Sequence, residues 1–152
     1  MEHSYRTETA ITGLKVPVVN EIHLHSIYDP IKEACELAEK YRPALKGQKN
    51  ILILGLGFGH HVREVLHILN EYHGNEGRIL VVEPFKRVIE DCLTHNPTFE
   101  TGKVKIIHET DIERLYTTAD FIEFLLTKPG IVYHQASFNA HSQFFKKKTD
   151  PG

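Results

Sequence analysis

The residues of this chain whose types and spacing suit ligand chemistry lie between positions 50 and 111. An apolar run, Ile51 to Leu54, ends in Gly55-Leu56-Gly57-Phe58-Gly59 and then His60-His61. Glycines at such a turn take positive φ and let a ligand approach the backbone where a Cβ would clash. A second apolar run, RILVV, ends in Glu83-Pro84. An acid closing the strand after a glycine turn is placed to grip ribose hydroxyls. Asp111 follows a third apolar segment, and His60 opens a helix where it is positioned to hydrogen-bond an anion. The candidate contacts for a small nucleotide ligand are therefore Gly55, Leu56, Gly57, Gly59, His60, Glu83, Pro84 and Asp111. No catalytic residue is assigned.

Those residues need elements to hold them. Asp29 suits a helix N-cap and Pro30 a first helical position, with Ile31, Ala34, Ala38, Tyr41 and Leu45 recurring at helical spacing. A strand over 50–54 leads through the glycine turn into a helix over about 60–73, whose core stripe is Val62, Val65, Leu66, Leu69 and Tyr72. Strand 78–83 is apolar enough to be buried on both faces. A helix opening at Pro84, a strand over 103–108, a short helix capped by Asp111, a helix over 119–126 and a strand from Gly130 complete the alternation. Phe138, Phe144 and Phe145 fall on a short final helix, offered as an aromatic face for a partner. Residues 7–25 mix β-branched residues with turn formers and predict short antiparallel strands. The fold class is α/β, a Rossmann-like open, mostly parallel sheet flanked by helices, with a short N-terminal β ornament. The expected organisation is an ornament over 1–28, a nucleotide-binding unit over 29–145 and a tail or domain-boundary linker over 146–152.

Composition narrows the function classes. The 41% hydrophobic and 25% charged fractions of the 152 residues suit one globular domain. A formal charge of -2 gives no general attraction to nucleic acid or to an anionic membrane. No apolar stretch has the length of a membrane span and the first residues carry no signal-peptide core, so a cytoplasmic setting is expected. Cys35 and Cys92 lie in apolar helical surroundings and read as reduced, buried thiols. The 11 histidines are scattered. His23 and His25 alternate and would share one face of a strand, but no four-ligand zinc spacing occurs. No metal is expected, only a charge that turns positive below about pH 6.

The turn misses the dinucleotide pattern G-x-G-x-x-G, because position 60 is histidine. Gly55-x-Gly57-x-Gly59 after an apolar strand instead resembles the first motif of class I S-adenosylmethionine-dependent methyltransferases. That resemblance implies S-adenosylmethionine or another nucleotide as cofactor, with Glu83 on the ribose and Asp111 near the adenine amine. The family's acid two residues before the first glycine is replaced here by Ile53.

A narrower resemblance rests on LHSIYDPIKEA (Leu24 to Ala34), ILGLGFGHHVREVL and VVEP taken together. This combination resembles the N-terminal region of bacterial motility-associated factor (Maf) flagellin glycosyltransferases and their MptE-like relatives. It covers residues 8–145. It implies a module supporting nonulosonic acid transfer to flagellin by a following catalytic domain, with that domain or a second copy of the chain as partner. Two alternatives stand beside it: a stand-alone class I methyltransferase, and a structural or docking domain whose glycine turn holds no ligand.

Overall fold

The computed structural model describes residues 4–95, 102–142 and 144. Phe145 and the tail over 146–152 lie outside the described residues. Two sheets form. The first is antiparallel, ordered β1 (Tyr5–Thr9), β2 (Lys15–Val19) and β3 (Ile22–His23). Its second turn is Asn20-Glu21, with both residues at positive φ (52° and 65°). A two-residue turn of that hand matches the twist of the strands it joins.

The second sheet is parallel. The chain passes through α1 (Pro30–Lys40), α2 (Arg42–Gly47), β4 (Asn50–Leu54), α3 (His60–His73), β5 (Arg78–Glu83), α4 (Lys86–His95) and β6 (Val104–His108). It continues through α5 (Ile112–Leu115), α6 (Ala119–Leu126), β7 (Gly130–Tyr133) and α7 (Gln135–Ala140). The strand order is β6-β5-β4-β7. The chain thus steps outward from β4 to β6, then crosses back to lay β7 on the other side of β4. The C-terminal ends of β4 and β7 flank the crevice where open α/β sheets place their ligands.

Alternate residues of β4 and β5 face two cores. Ile51, Ile53, Ile79 and Val81 pack with Val62, Val65 and Leu69 of α3, and Leu52, Leu54, Leu80 and Val82 with Phe121 of α6. A third cluster joins the two sheets: Val19 and Leu24 meet Val88 of α4 and Ala140 of α7. Tyr5 sets its ring edge-on to Phe85, 5.3 Å between centroids, and bonds the Asp91 carboxylate through its hydroxyl. Asn20 donates to the Ala140 carbonyl at 3.0 Å. The small sheet therefore covers the end of the parallel sheet at which the glycine turn lies.

Several expectations need correction. The helix expected from Asp29 onward is two helices, because the chain breaks at Tyr41 and Pro43, which has no N–H, opens the second. In α3 the buried stripe takes Ile68, whereas Tyr72 is 38% exposed and its hydroxyl accepts from Arg42. Helix α4 begins at Lys86 instead of Pro84, since the Glu83 carboxylate takes the Phe85 amide. Cys92 is buried but Cys35 only half-buried; neither is joined in a disulfide. Phe138 and Phe144 are half-buried against the second core, so they do not form an exposed aromatic face. No helix among the described residues is long and apolar enough to cross a membrane.

Leu24 is 1% exposed at the joint between the sheets. Leu24→Ala should cost about 2–5 kcal/mol in denaturant unfolding, as a single cooperative transition. A separate early transition would mean that the small sheet folds apart from the parallel one.

Candidate functional site

After β4 the chain turns through Gly55, Gly57 and Gly59 at φ of 105°, 53° and 80°. All five amides of this turn find acceptors within the protein. Gly55 donates to the Val82 carbonyl (3.0 Å) and Gly59 to that of Leu56 (2.9 Å). Leu56 donates to Glu83 Oε1 at 2.9 Å, and the Gly57 amide also bonds this carboxylate. Phe58 donates to His25 Nε2 at 2.8 Å.

Glu83 is fully buried. Burial pushes its carboxyl up to about 7, against the downward pull of the Leu56, Phe85 and Gly57 amides. His141 Nε2 lies 3.6 Å from Glu83 Oε2. The acid at the strand end thus laces β5 to the glycine turn.

His25 is aimed by its own sequence neighbours. Ser26 Oγ accepts from the Tyr28 and Asp29 amides, Glu33 accepts from the Ser26 amide, and Asp29 accepts from Lys32 N at the head of α1. This lattice makes the His-Ser-x-Tyr-Asp-Pro segment a rigid corner, with Tyr28 exposed on its outside. A Cβ on Gly57 would overlap His25 Nε2, and one on Gly55 would overlap Ser137. The close approaches that these glycines permit are made by the chain's own side chains.

Around the turn stand further imidazoles. His61 and His134 stack face to face at 4.0 Å, and His25 lies 5.7 and 5.2 Å from their centroids. His61 Nε2 donates to the Gly55 carbonyl at 2.8 Å, while its Nδ1 is buried with no hydrogen-bond partner among the described residues. His134 Nδ1 meets Ser137 Oγ at 2.6 Å, and the ring also bonds the Leu24 backbone. Desolvation holds all three neutral, His61 down to about 4 and His25 and His134 well below 6.5. His60 is lowered by burial too; its ring bonds the Lys15 backbone and its Nε2 has no partner among the described residues.

The remaining candidates divide. Pro84 is buried at the bend after β5. His60 is buried, 6% exposed, instead of standing open at the helix start. Asp111 caps α5 through the Glu113 amide and lies 3.7 Å from Arg114. His23 turns to Glu8 at 3.0 Å and does not share a face with His25, because β3 ends at His23. Spacing did not single out His134, Ser137 and His141, and it read His25 only with His23 on a strand and His61 only beside His60 at the turn. Their signal was positional, since His25 and His134 fall one or two residues beyond strand ends. A cleft of about 350 Å³ lies at the opposite end, lined by Asn50, Arg78, Lys103 and Phe124 near the strand starts. It is remote from the glycine turn.

No protein-family model matches the chain, and no curated protein matches it. Among solved structures it is similar to spermidine synthase from Thermotoga maritima, 16% identical with TM-score 0.56, over 95% of this chain and 62% of that one. It is also similar to a spermidine synthase in complex with the transition state analogue AdoDATO, at 16% identity and TM-score 0.57, over 95% and 63%. A weaker likeness, 18% identical with TM-score 0.48, covers 78% of this chain and 47% of MNMC2 from Aquifex aeolicus. The chain spans less than two thirds of the length of each. At these identities the likeness to the two spermidine synthases is one of fold, a Rossmann-like parallel sheet flanked by helices.

Two predictions follow from this packing. Gly57→Ala should destabilise the chain by about 1–2 kcal/mol from its left-handed φ alone, plus the overlap with His25. The additional His25→Ala change should cost less in that background than in the wild type, as a thermal double-mutant cycle would read. Acid should also unfold the protein early. His25, His60, His61 and His134 bind fewer protons when folded, so their stabilisation is present above 6.5 and lost as pH falls toward their folded values; for His61 alone that is about 3 kcal/mol between 6.5 and 4. Glu83 acts oppositely, gaining stability as pH falls from about 7 to 4.5, but it is one group against four. A urea midpoint that rises between pH 6.5 and 4 would contradict the assignment.

Proposed function

We propose that the chain is a nucleotide- or S-adenosylmethionine-type binding module of a Maf/MptE-like protein, supporting glycosyl transfer by a separate catalytic domain. The observation that carries this reading is the identity of the groups holding the turn. Leu56, Gly57 and Phe58 give their amides to the side chains of Glu83 and His25, which reach over from β5 and from the corner before α1. Side-chain acceptors of this kind are exchangeable for ligand oxygens and nitrogens, as backbone acceptors are not. The turn lies at the switch point of the sheet, where α/β folds receive nucleotides. One similar structure is a spermidine synthase in complex with AdoDATO, which suits an adenosyl ligand in this fold. Gly55, Leu56, Gly57 and Gly59 would line the ligand, Glu83 would take ribose hydroxyls, and His60, Pro84 and Asp111 would border the site.

A second reading is favoured by one observation: all five turn amides are already satisfied. In that reading the domain is a scaffold and its glycines serve only the corner and the close packing of His25 and Ser137.

Native mass spectrometry of the purified chain with S-adenosylmethionine, S-adenosylhomocysteine and CMP separates the two. A retained adenosyl ligand, or CMP for a sugar-nucleotide role, supports binding. Loss of that retention in Glu83→Ala, by the equivalent of about 1–3 kcal/mol, would place the ligand at β5. Absence of any mass shift would leave the scaffold reading.

A further inference from the structure

We propose that His25, His61 and His134 form a binding site for a borderline divalent metal ion of the zinc type. Their candidate ligand nitrogens all lie within 4.8 Å of one another, and all three side chains are buried. The residues come from three separate parts of the fold: the corner before α1, the first turn of α3 and the residue after β7. No spacing along the sequence links them, and the proposal requires no ligand at the glycine turn.

The chemistry of each ring suits a ligand. Imidazole coordinates in its neutral form, and burial holds these three neutral. A metal-binding histidine usually donates its other N–H to a carbonyl, which fixes the tautomer. His61 does so: Nε2 donates to the Gly55 carbonyl, leaving a lone pair on Nδ1. That Nδ1 is buried, on a residue 1% exposed, and has no hydrogen-bond partner among the described residues. An unsatisfied buried acceptor is costly, and a cation would satisfy it. His134 bonds the Leu24 backbone through one nitrogen and meets only the Ser137 hydroxyl, a group free to rotate, through Nδ1. Three neutral imidazoles are a donor set for Zn²⁺, Co²⁺ or Cu²⁺, with a fourth position left for water or a ligand.

Loading has two structural consequences. Stacked rings hold their in-plane lone pairs in separate parallel planes, so His134 turns about its Cβ–Cγ bond while His61 keeps its bond to the Gly55 carbonyl. His25 Nε2 now accepts from the Phe58 amide, so coordination through that nitrogen exchanges the amide for the ion. The ion and the glycine turn compete for one lone pair, and metal uptake releases the Phe58 N–H.

The test is titration of the chelator-treated full chain with CoCl2 and ZnCl2. The expected result is uptake of one Co²⁺ per chain with the visible bands of a low-coordinate site, displaced by Zn²⁺. In NMR of the wild-type chain, Zn²⁺ should move the imidazole signals of His25, His61 and His134 and the Phe58 amide. The exposed His67, paired only with Glu71 on α3, should not move. His61→Ala, if folded by circular dichroism, should weaken Zn²⁺ binding by roughly 100-fold or more, and His67→Ala should leave it unchanged. The proposal is overturned if the folded wild-type chain takes up no stoichiometric metal. It is equally overturned if uptake perturbs other histidines and leaves these three untouched.

Discussion

The arrangement depends first on the buried Glu83 carboxylate. It stands at the end of β5 and accepts from amides on both sides of a gap: Leu56 and Gly57 in the turn after β4, and Phe85 at the bend toward α4. A fully buried carboxyl is unfavourable as an anion unless such donors surround it. Here burial and amide donation oppose each other, and burial prevails enough to raise the group to about 7. Both the path of the glycine turn and the start of α4 follow from these bonds, because each donor has been drawn to one charge.

The second constraint comes from the small N-terminal sheet. It contributes apolar surface, Val19 and Leu24, to a cluster with α4 and α7, and so closes the C-terminal end of the parallel sheet. The chain leaving β3 then delivers His25 to the turn. The imidazoles that result are buried, which holds them neutral, and nitrogens of His60 and His61 have no partner among the described residues. Polar groups buried at that density are expensive for a fold to keep, and their cost points to a role beyond packing.

Much of the fold was legible from local pattern. The runs 50–54 and 78–83 are strands because they are short, apolar and bounded by turn formers; the Asp29-Pro30 start and the Asp111 cap appear as read. Where pattern misled, a tertiary or backbone term outweighed it. Periodicity carries a helix through Tyr41, but Pro43 cannot donate, and the chain restarts. Tyr72 has helical spacing for the core, but its hydroxyl is drawn outward to Arg42.

The candidate site shows the same division. Sequence by itself determined that a strand, a three-glycine turn and a helix follow one another, and that an acid closes the next strand, since these are properties of contiguous residues. It also determined the Asp29 cap of α1, whose bond to the Lys32 amide spans three positions. Only the tertiary structure decided that Glu83 faces the turn's amides, that His25 fills the space beside Gly57, and that His61 and His134 stack. Those contacts join residues 27 (Leu56 and Glu83), 33 (His25 and Phe58) and 73 (His61 and His134) positions apart. The reason is physical: dihedral preference and side-chain periodicity act locally, whereas which strand end meets which loop is settled by strand order and the burial of apolar faces.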